Sequence, residues 1–353
     1  MNDFYYYRQT PTGQKKSKQI TASTLLILKE AEKLNIQVEK IPYTQLFKLT
    51  YKKKIRYFRY QIPHQTTNIG IYCGNNKKIT KRLLEQANIS VPKGYSINKK
   101  DKKEYYRQIL TDLKKPIVVK PVAGSQGDYI TVNINNIDSF CNAIEKAFQF
   151  QATGDKKVVI AEEMYDWPEY RILASRKKVI GIIHRIPANI IGDGEKTIEE
   201  LIKIKNLDPR RSGVKNQSAL YKIEIDDDLK QFLDKQNLNL HSIPKKNQQI
   251  MLRGVSNISQ GGDSVDYTDI AHESVNKIAL KIIKAIPGLH LAGIDFMCKN
   301  ISQKQNKDSY VILEVNHSPG LDIHDYPYKG KNRHAGFEFL KIMFPELPDP
   351  YKN

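Results

Sequence analysis

Residues 310–316 read YVILEVN, and residues 291–297 read LAGIDFM. Both runs have the length and apolar content of buried strands, and the polar stretch KNISQKQNKDS (299–309) between them reads as a hairpin loop. Each run nevertheless carries acid. Glu314 and Asn316 stand two residues apart, so on a strand they project to the same face. Asp295 interrupts the other run. Burying unpaired carboxylates is expensive, so two near one another call for a cation between them. An all-oxygen donor set suits Mg²⁺, which takes one or two carboxylates and leaves its other positions to water and phosphate. A lone strand aspartate would read as a surface partner for a lysine. The Glu-Val-Asn pair beside a second apolar strand with its own Asp favours the metal.

Working outward, residues 272–286 hold the cleanest helical period in the chain. Val275, Ile278, Ala279, Ile282, Ile283 and Ile286 fall on one face. Strands are expected at 170–175 and 179–185, and helices at 197–205, 226–236 and 334–343. Residues 206–250 are polar and lysine-rich. Further upstream, KPIVVKP (115–121) reads as a short buried strand, followed by a glycine-containing loop, a strand at 129–134, a helix at 137–149 and the strand VVIAEE (158–163). The first third reads as an α/β unit, with a helix at 23–35, strands at 36–41, 45–50 and 55–60, and a helix at 77–88. Pro92 and Gly94 then mark a boundary. The division expected from this pattern is 1–94, 95–169 and 170–353.

Lys120 ends the apolar strand and precedes Gly124-Ser125-Gln126-Gly127. A lysine beside the exposed N–H groups of a glycine loop makes a phosphate cradle, and metal ligands of the kind above need a phosphate partner. In VVIAEEMYDWPEYR, Glu162 and Glu169 are seven apart with Pro168 between them. A strand running into an extended linker presents backbone donors and acceptors to a purine, and carboxylates accept from an exocyclic amine or a ribose hydroxyl.

The chain has 353 residues and a formal charge of +19, with 45 Lys against 12 Arg. The charge is spread without a basic tail, and 40% hydrophobic residues rule out wholesale disorder. Cys73, Cys141 and Cys298 form neither a disulfide framework nor a zinc spacing and read as free thiols. No apolar run approaches the ~18 residues of a membrane span. The first residues lack a signal-peptide core, so a cytoplasmic location is expected.

The order KKITK (77–81), VVKP with its glycine loop, EEM-x₄-EYR, GID and LEVNHSPG (313–320) resembles the ATP-grasp superfamily. The resemblance is closest to the ATP-grasp domains of the bifunctional γ-glutamate–cysteine ligase/glutathione synthetase and of cyanophycin synthetase, and covers roughly residues 20–347. RIPANIIGDGEKTIEELIKIKNLDPRR (185–211) and LRGVSNISQGGDSVDYTD (252–269) are similar to both, and YPYKGKNR (326–333) to the glutathione enzyme. The resemblance implies an α/β (α+β) ATP-grasp fold, with ATP held between two α+β subdomains behind an N-terminal α/β subdomain. It implies that Lys77 and Lys120 hold phosphates and that Gly124, Ser125, Gln126 and Gly127 close over them. Glu162, Glu163 and Met164 would line the adenine site and Glu169 would hold the ribose. Asp295, Glu314 and Asn316 would bind one or two Mg²⁺, with Mn²⁺ as a substitute. Arg171, Arg185 and Arg253 would hold a substrate carboxylate or acyl phosphate, beside Asn257, Gly261 and Gly262; Arg185, Arg253 and Lys120 would act on the reacting atoms. The implied reaction is ATP-dependent, ADP-forming ligation of a carboxylate and an amine, on an amino acid or short peptide.

Two positions depart from the wider superfamily. Gly293 stands where many members have an arginine, two residues before the metal-binding Asp295, a role that the resemblance gives to Arg253, and the loop AGSQGD lacks a basic residue. His184, His317 and His324 lie near the expected site and read as hydrogen-bonding pocket residues. Two other functions compete. One is a ligase of the same chemistry that modifies a protein or polymer. The other is nucleic-acid binding, which needs clustered Arg and aromatic platforms, whereas of the 20 tyrosines only Tyr5–Tyr7 form a dense cluster, outside the matched region. The relatives are commonly oligomeric, though nothing in this chain marks an interface.

Overall fold

The computed structural model describes residues 20–122, 129–150, 157–212 and 218–352. The expected glycine loop, Gly124 to Gly127, and the tyrosines at 5–7 lie outside the described residues.

The N-terminal part opens with α1 (Ala22–Lys33), started by the Thr21 side chain, which accepts from Thr24 N at 3.2 Å. An antiparallel meander follows: β1 (Gln37–Lys40), β2 (Leu46–Tyr51), β3 (Lys54–Arg59) and β4 (Ile62–Pro63). Then come α2 (Asn68–Gly74) and α3 (Lys77–Gln86). The central unit comprises β5 (Gly94–Ile97), α4 (Lys103–Asp112), β6 (Ile117–Pro121), β7 (Thr131–Ile134), α5 (Ile137–Phe148) and β8 (Val159–Glu163). Its antiparallel sheet runs β5-β8-β6-β7 and encloses its own core, which includes Ile97, Ile109, Val119, Phe140 and Ala161.

The rest of the chain comprises β9 (Glu169–Ser175), β10 (Val179–Ile186), β11 (Asn189–Ile191), α6 (Ile198–Lys205), β12 (Arg211–Ser212), β13 (Leu220–Tyr221), α7 (Asp227–Asp234), β14 (Gln249–Met251), β15 (Asp263–Asp266), α8 (Glu273–Ala285), β16 (Leu291–Cys298), β17 (Tyr310–Asn316), α9 (Asp322–Asp325) and α10 (Ala335–Met343). Its main sheet is antiparallel, in the order β15-β10-β9-β16-β17.

Register explains how this sheet presents a site. Directly paired residues point to one face. Val315, Ile294, Ile172 and Ile182 form one row, and it packs under the apolar stripe of α8. The neighbouring row is Glu314, Asp295, Arg171 and Ile183, on the opposite face. Farther along that face, Leu173 and Leu291 pack into the core built from α1 and α10. The cover ends before Arg171 and Asp295, so the charged row lies at its margin.

Helix α3 belongs to the same core as the main sheet, through Leu84 beside Ile312 and Val315. Residues 20–63 instead share a core with α10. Between β10 and β15 the lysine-rich stretch folds around a core of its own, with Ile190, Ile198, Leu229, Leu233 and Leu252 buried.

Candidate active site

Asn76 caps α3 by accepting from Lys78 N and Ile79 N at 3.1 and 3.2 Å. Lys77 and Lys81, one turn apart, then share a face. They line a cleft whose other walls are Lys120 on β6, Ile160 and Glu162 on β8, and residues 312–315 on β17. Lys77 Nζ lies 3.3 Å from Glu314 Oε1. Glu162 is only 3% exposed. It takes Lys81 on Oε2 at 3.0 Å and Lys120 on Oε1. Burial pushes the Glu162 carboxyl up, but the two ammonium groups override it and hold it below the usual range. Lys81 closes the KKITK motif but was given no role from the sequence, although its i+4 spacing from Lys77 was the available signal.

A second cluster lies on the charged row of the main sheet. Asp295 Oδ2 accepts from Arg185 Nη2 at 3.0 Å and from Arg171 Nη2 at 3.3 Å. Arg171 Nε approaches Oδ1 at 2.5 Å as an ion contact without hydrogen-bond geometry. Burial raises the Asp295 carboxyl, and Arg171 and Arg185 more than offset that, so it stays ionised to low pH. Arg185 also donates to Glu169, whose Oε2 accepts from the Ser256 hydroxyl at 2.6 Å. Glu169 is therefore tied to a guanidinium and to the loop that precedes Asn257.

Gly293 is explained by this cluster. A Cβ there would meet Pro319 Cβ at 2.9 Å and Arg171 Nη1 at 3.0 Å. An arginine side chain has no room, and Arg171 on the adjacent strand brings its guanidinium to that place. Asn316 lies opposite Gly293, and its Oδ1 accepts from Ser318 N at 2.9 Å.

The remaining expected residues lie farther out. Arg253 is buried and bound to Asp226 at 2.7 Å and to Glu224 O at 3.2 Å; among the described residues its ion pair is with Asp226, not with Asp295. Asn257 begins a short turn by accepting from Ser259 N at 3.0 Å. That turn ends at Gly261, whose φ of +91° and whose contact with Ile223 exclude a side chain. Gly262 packs against Ile186 O and Asn257 O. Met164 N donates to Pro116 O at 3.0 Å, and Glu163 accepts from Lys114 N at 3.1 Å, so both organise the turn after β8.

The three histidines separate. His184 lies on the α8 side of the sheet, its ring stacked on Tyr170 at 4.8 Å, opposite in orientation to Arg185. Burial lowers its pKa. His317 packs beside Gly74 at the cleft. His324 is fully buried between Gly181 and Arg333, and burial drives its pKa down to about 3. A cation box also escaped the sequence reading. Lys205, Arg210 and Arg211 surround the Tyr328 ring at 5.1, 5.3 and 5.5 Å. Lys205 and Arg211 both pair with buried Asp263, joining the lysine-rich insertion to the main sheet.

Among the described residues no group of three or more His, Cys, Asp or Glu is arranged to hold a metal, and no helix is long and apolar enough to cross a membrane. Asp295 and Glu314 are two cross-strand carboxylates with the Asn316 amide beside them. By oxygen type that donor set suits a Mg²⁺ whose other positions go to phosphate and water, although here Asp295 is paired with Arg171 and Arg185 and Glu314 with Lys77.

No family model matches the chain. It is 39% identical over 271 residues to the glutathione biosynthesis bifunctional protein of Clostridium perfringens, covering 76% of this chain and 34% of that one. It is 33% identical over 323 residues to cyanophycin synthetase of Trichormus variabilis, covering 92% and 35%. The crystal structure of a bifunctional glutathione synthetase from Pasteurella multocida matches with a TM-score of 0.73 at 30% identity, covering 93% of this chain and 45% of that one. The chain thus spans about a third of the length of these curated relatives. The order of motifs along the sequence and the backbone match over nearly all of it agree that this chain belongs to the ATP-grasp superfamily.

Proposed function

We propose that the chain is an ADP-forming, ATP-dependent carboxylate–amine ligase that makes an amide bond through an acyl phosphate, acting on an amino acid or short peptide. ATP-grasp enzymes use ATP and Mg²⁺. The observation that carries the reading is the cleft in which Lys77 and Lys120, on separate elements, stand beside the buried Glu162 and Glu314, with Asp295 the cross-strand neighbour of Glu314. In this reading residues 95–169 form the lid and 170–353 the base.

A carboxylate is a poor electrophile until it is phosphorylated. The phosphoryl step needs alignment and charge neutralisation. Lys77 and Lys120 would supply both at the phosphates. Asp295, Glu314 and Asn316 would hold Mg²⁺, which adds neutralisation at the same oxygens. Glu162 would accept from the adenine amine, with Glu163 and Met164 along the purine edge, and Glu169 would hold the ribose. Arg171 and Arg185, fixed by Asp295 and Glu169, would orient the acyl group and stabilise the oxyanion that forms when the amine attacks. Arg253 would reach the same group from the insertion, with Asn257, Gly261 and Gly262 shaping the wall.

The test is release of phosphate from ATP and Mg²⁺ in the presence of pairs of amino acids and dipeptides. Stoichiometric ADP and a new amide, seen by mass spectrometry, are expected. Binding of nucleic acid at physiological salt with no acceptor-dependent ATP turnover would refute the reading. Product mass also separates single addition from extension of a polymer.

A further inference from the structure

Among the described residues, the cleft holds one more cation than the nucleotide reading uses. Lys77 and Lys120 are assigned to phosphate, and each is held here by a carboxylate, Glu314 and Glu162 respectively. Lys81 is the third. Its side chain is 16% exposed and its Nζ lies 3.0 Å from Glu162 Oε2, while Lys120 occupies Oε1. Glu162 therefore has one cation on each oxygen.

An ammonium carries a single charge. When Lys120 turns to a phosphate it no longer neutralises Glu162 fully. A carboxylate buried as deeply as Glu162 and left without a cation takes up a proton instead. Lys81 is placed to prevent this. It stands on α3, whose first turn is fixed by Asn76 and whose Thr80 hydroxyl donates to Cys73 O at 2.6 Å. Its support is separate from β6, which carries Lys120.

We propose that Lys81 is a positioning residue of the nucleotide site, which keeps Glu162 ionised and in place while Lys120 is transferred to phosphate. The proposal rests on the nucleotide reading above. Under it, nucleotide binding exchanges ion pairs without changing the protonation of the cleft.

The experiment is calorimetric titration with ADP and Mg²⁺, in two buffers of different protonation enthalpy. The pH is kept between about 7.5 and 8.5, above the last phosphate ionisation near about 6. Wild type is expected to take up no proton. Lys81→Met is expected to take up close to one proton per nucleotide, and its Kd to rise by up to about tenfold per pH unit. Lys81→Arg restores wild-type behaviour. The double variant Lys81→Met/Glu162→Gln loses the uptake, because the titrating carboxyl is gone. If Lys81→Met does not fold, Lys81→Gln is measured in its place, since it keeps a donor for Glu162 without a charge. ADP binding by the neutral variant with unchanged Kd and no proton uptake overturns the proposal and leaves the nucleotide reading intact. Uptake that survives in the double variant overturns it as well. Wild type that binds no adenine nucleotide overturns both.

Discussion

Lys120 and Glu314 test the site most directly, because each has a structural partner that can be accounted for. Lys120→Ala leaves Glu162 with Lys81, and Glu314→Ala removes one ion pair of Lys77 at a partly exposed position. Neither loss removes a core side chain, so both variants are expected to fold. Both are expected to lower ADP formation by about a hundred- to a thousandfold, as removal of a preorganised charge-stabilising group does. Near-normal turnover with a wild-type melting curve would remove that residue from the site. Glu169 is a finer case. It bonds to Arg185 and to Ser256, so it has a structural role whatever it does to ribose. Glu169→Ala is expected to raise KM for ATP about tenfold with a smaller change in kcat. A fall in kcat at constant KM would show that it serves only to hold Arg185.

Strand register decides which chemistry each element offers. Glu314, Asp295 and Arg171 form one cross-strand row, whereas His184, on β10 beside Arg185, faces α8. A shift of one residue would exchange the two faces. Gly293 belongs to this scale, because its missing side chain is what admits Arg171. Gly293→Ala is expected to destabilise the protein by about 1–3 kcal/mol through overpacking against Pro319. It is also expected to lower turnover by displacing the Arg171 guanidinium. Thermal melting and initial rates measure the two effects. A variant with both unchanged would show that the contact relaxes without moving Arg171.

For the molecule as a whole, two adjacent buried groups contribute to acid stability with opposing linkage. His324 has a folded pKa of about 3 against an ordinary 6.5, so between those values only the unfolded chain carries its proton and stability falls as pH falls. Asp325 has a folded pKa of about 6 against 3.8, raised by burial, so in its window only the folded chain carries the proton and stability rises as pH falls. From about pH 6 to 4 the two cancel. Asp325→Asn removes the compensating term. Its unfolding free energy is expected to drop more steeply than wild type over that range, by up to about 1.4 kcal/mol per pH unit. Urea titrations at pH 6, 5 and 4 measure it, and parallel pH profiles would rule the compensation out.

The sequence by itself determined the main helices and strands, because period and polarity are local properties. The α8 stripe, the VILEVN strand and the lysine-rich insertion's helices all appear within a few residues of their expected positions. It also determined which carboxylates stand inside apolar strands. The short elements α2, β4, β5 and α9 carry too few residues for a period and were not legible. Only the tertiary structure decided who meets whom. Lys81 met Glu162 and Lys120, and Arg171 filled the space above Gly293. His184 was turned away from Arg185, and the core of α1 and α10 ended short of the Arg171–Asp295 row. These outcomes depend on register and on which face is covered. Both are set by packing between segments far apart in the chain, and a local pattern carries no record of that packing.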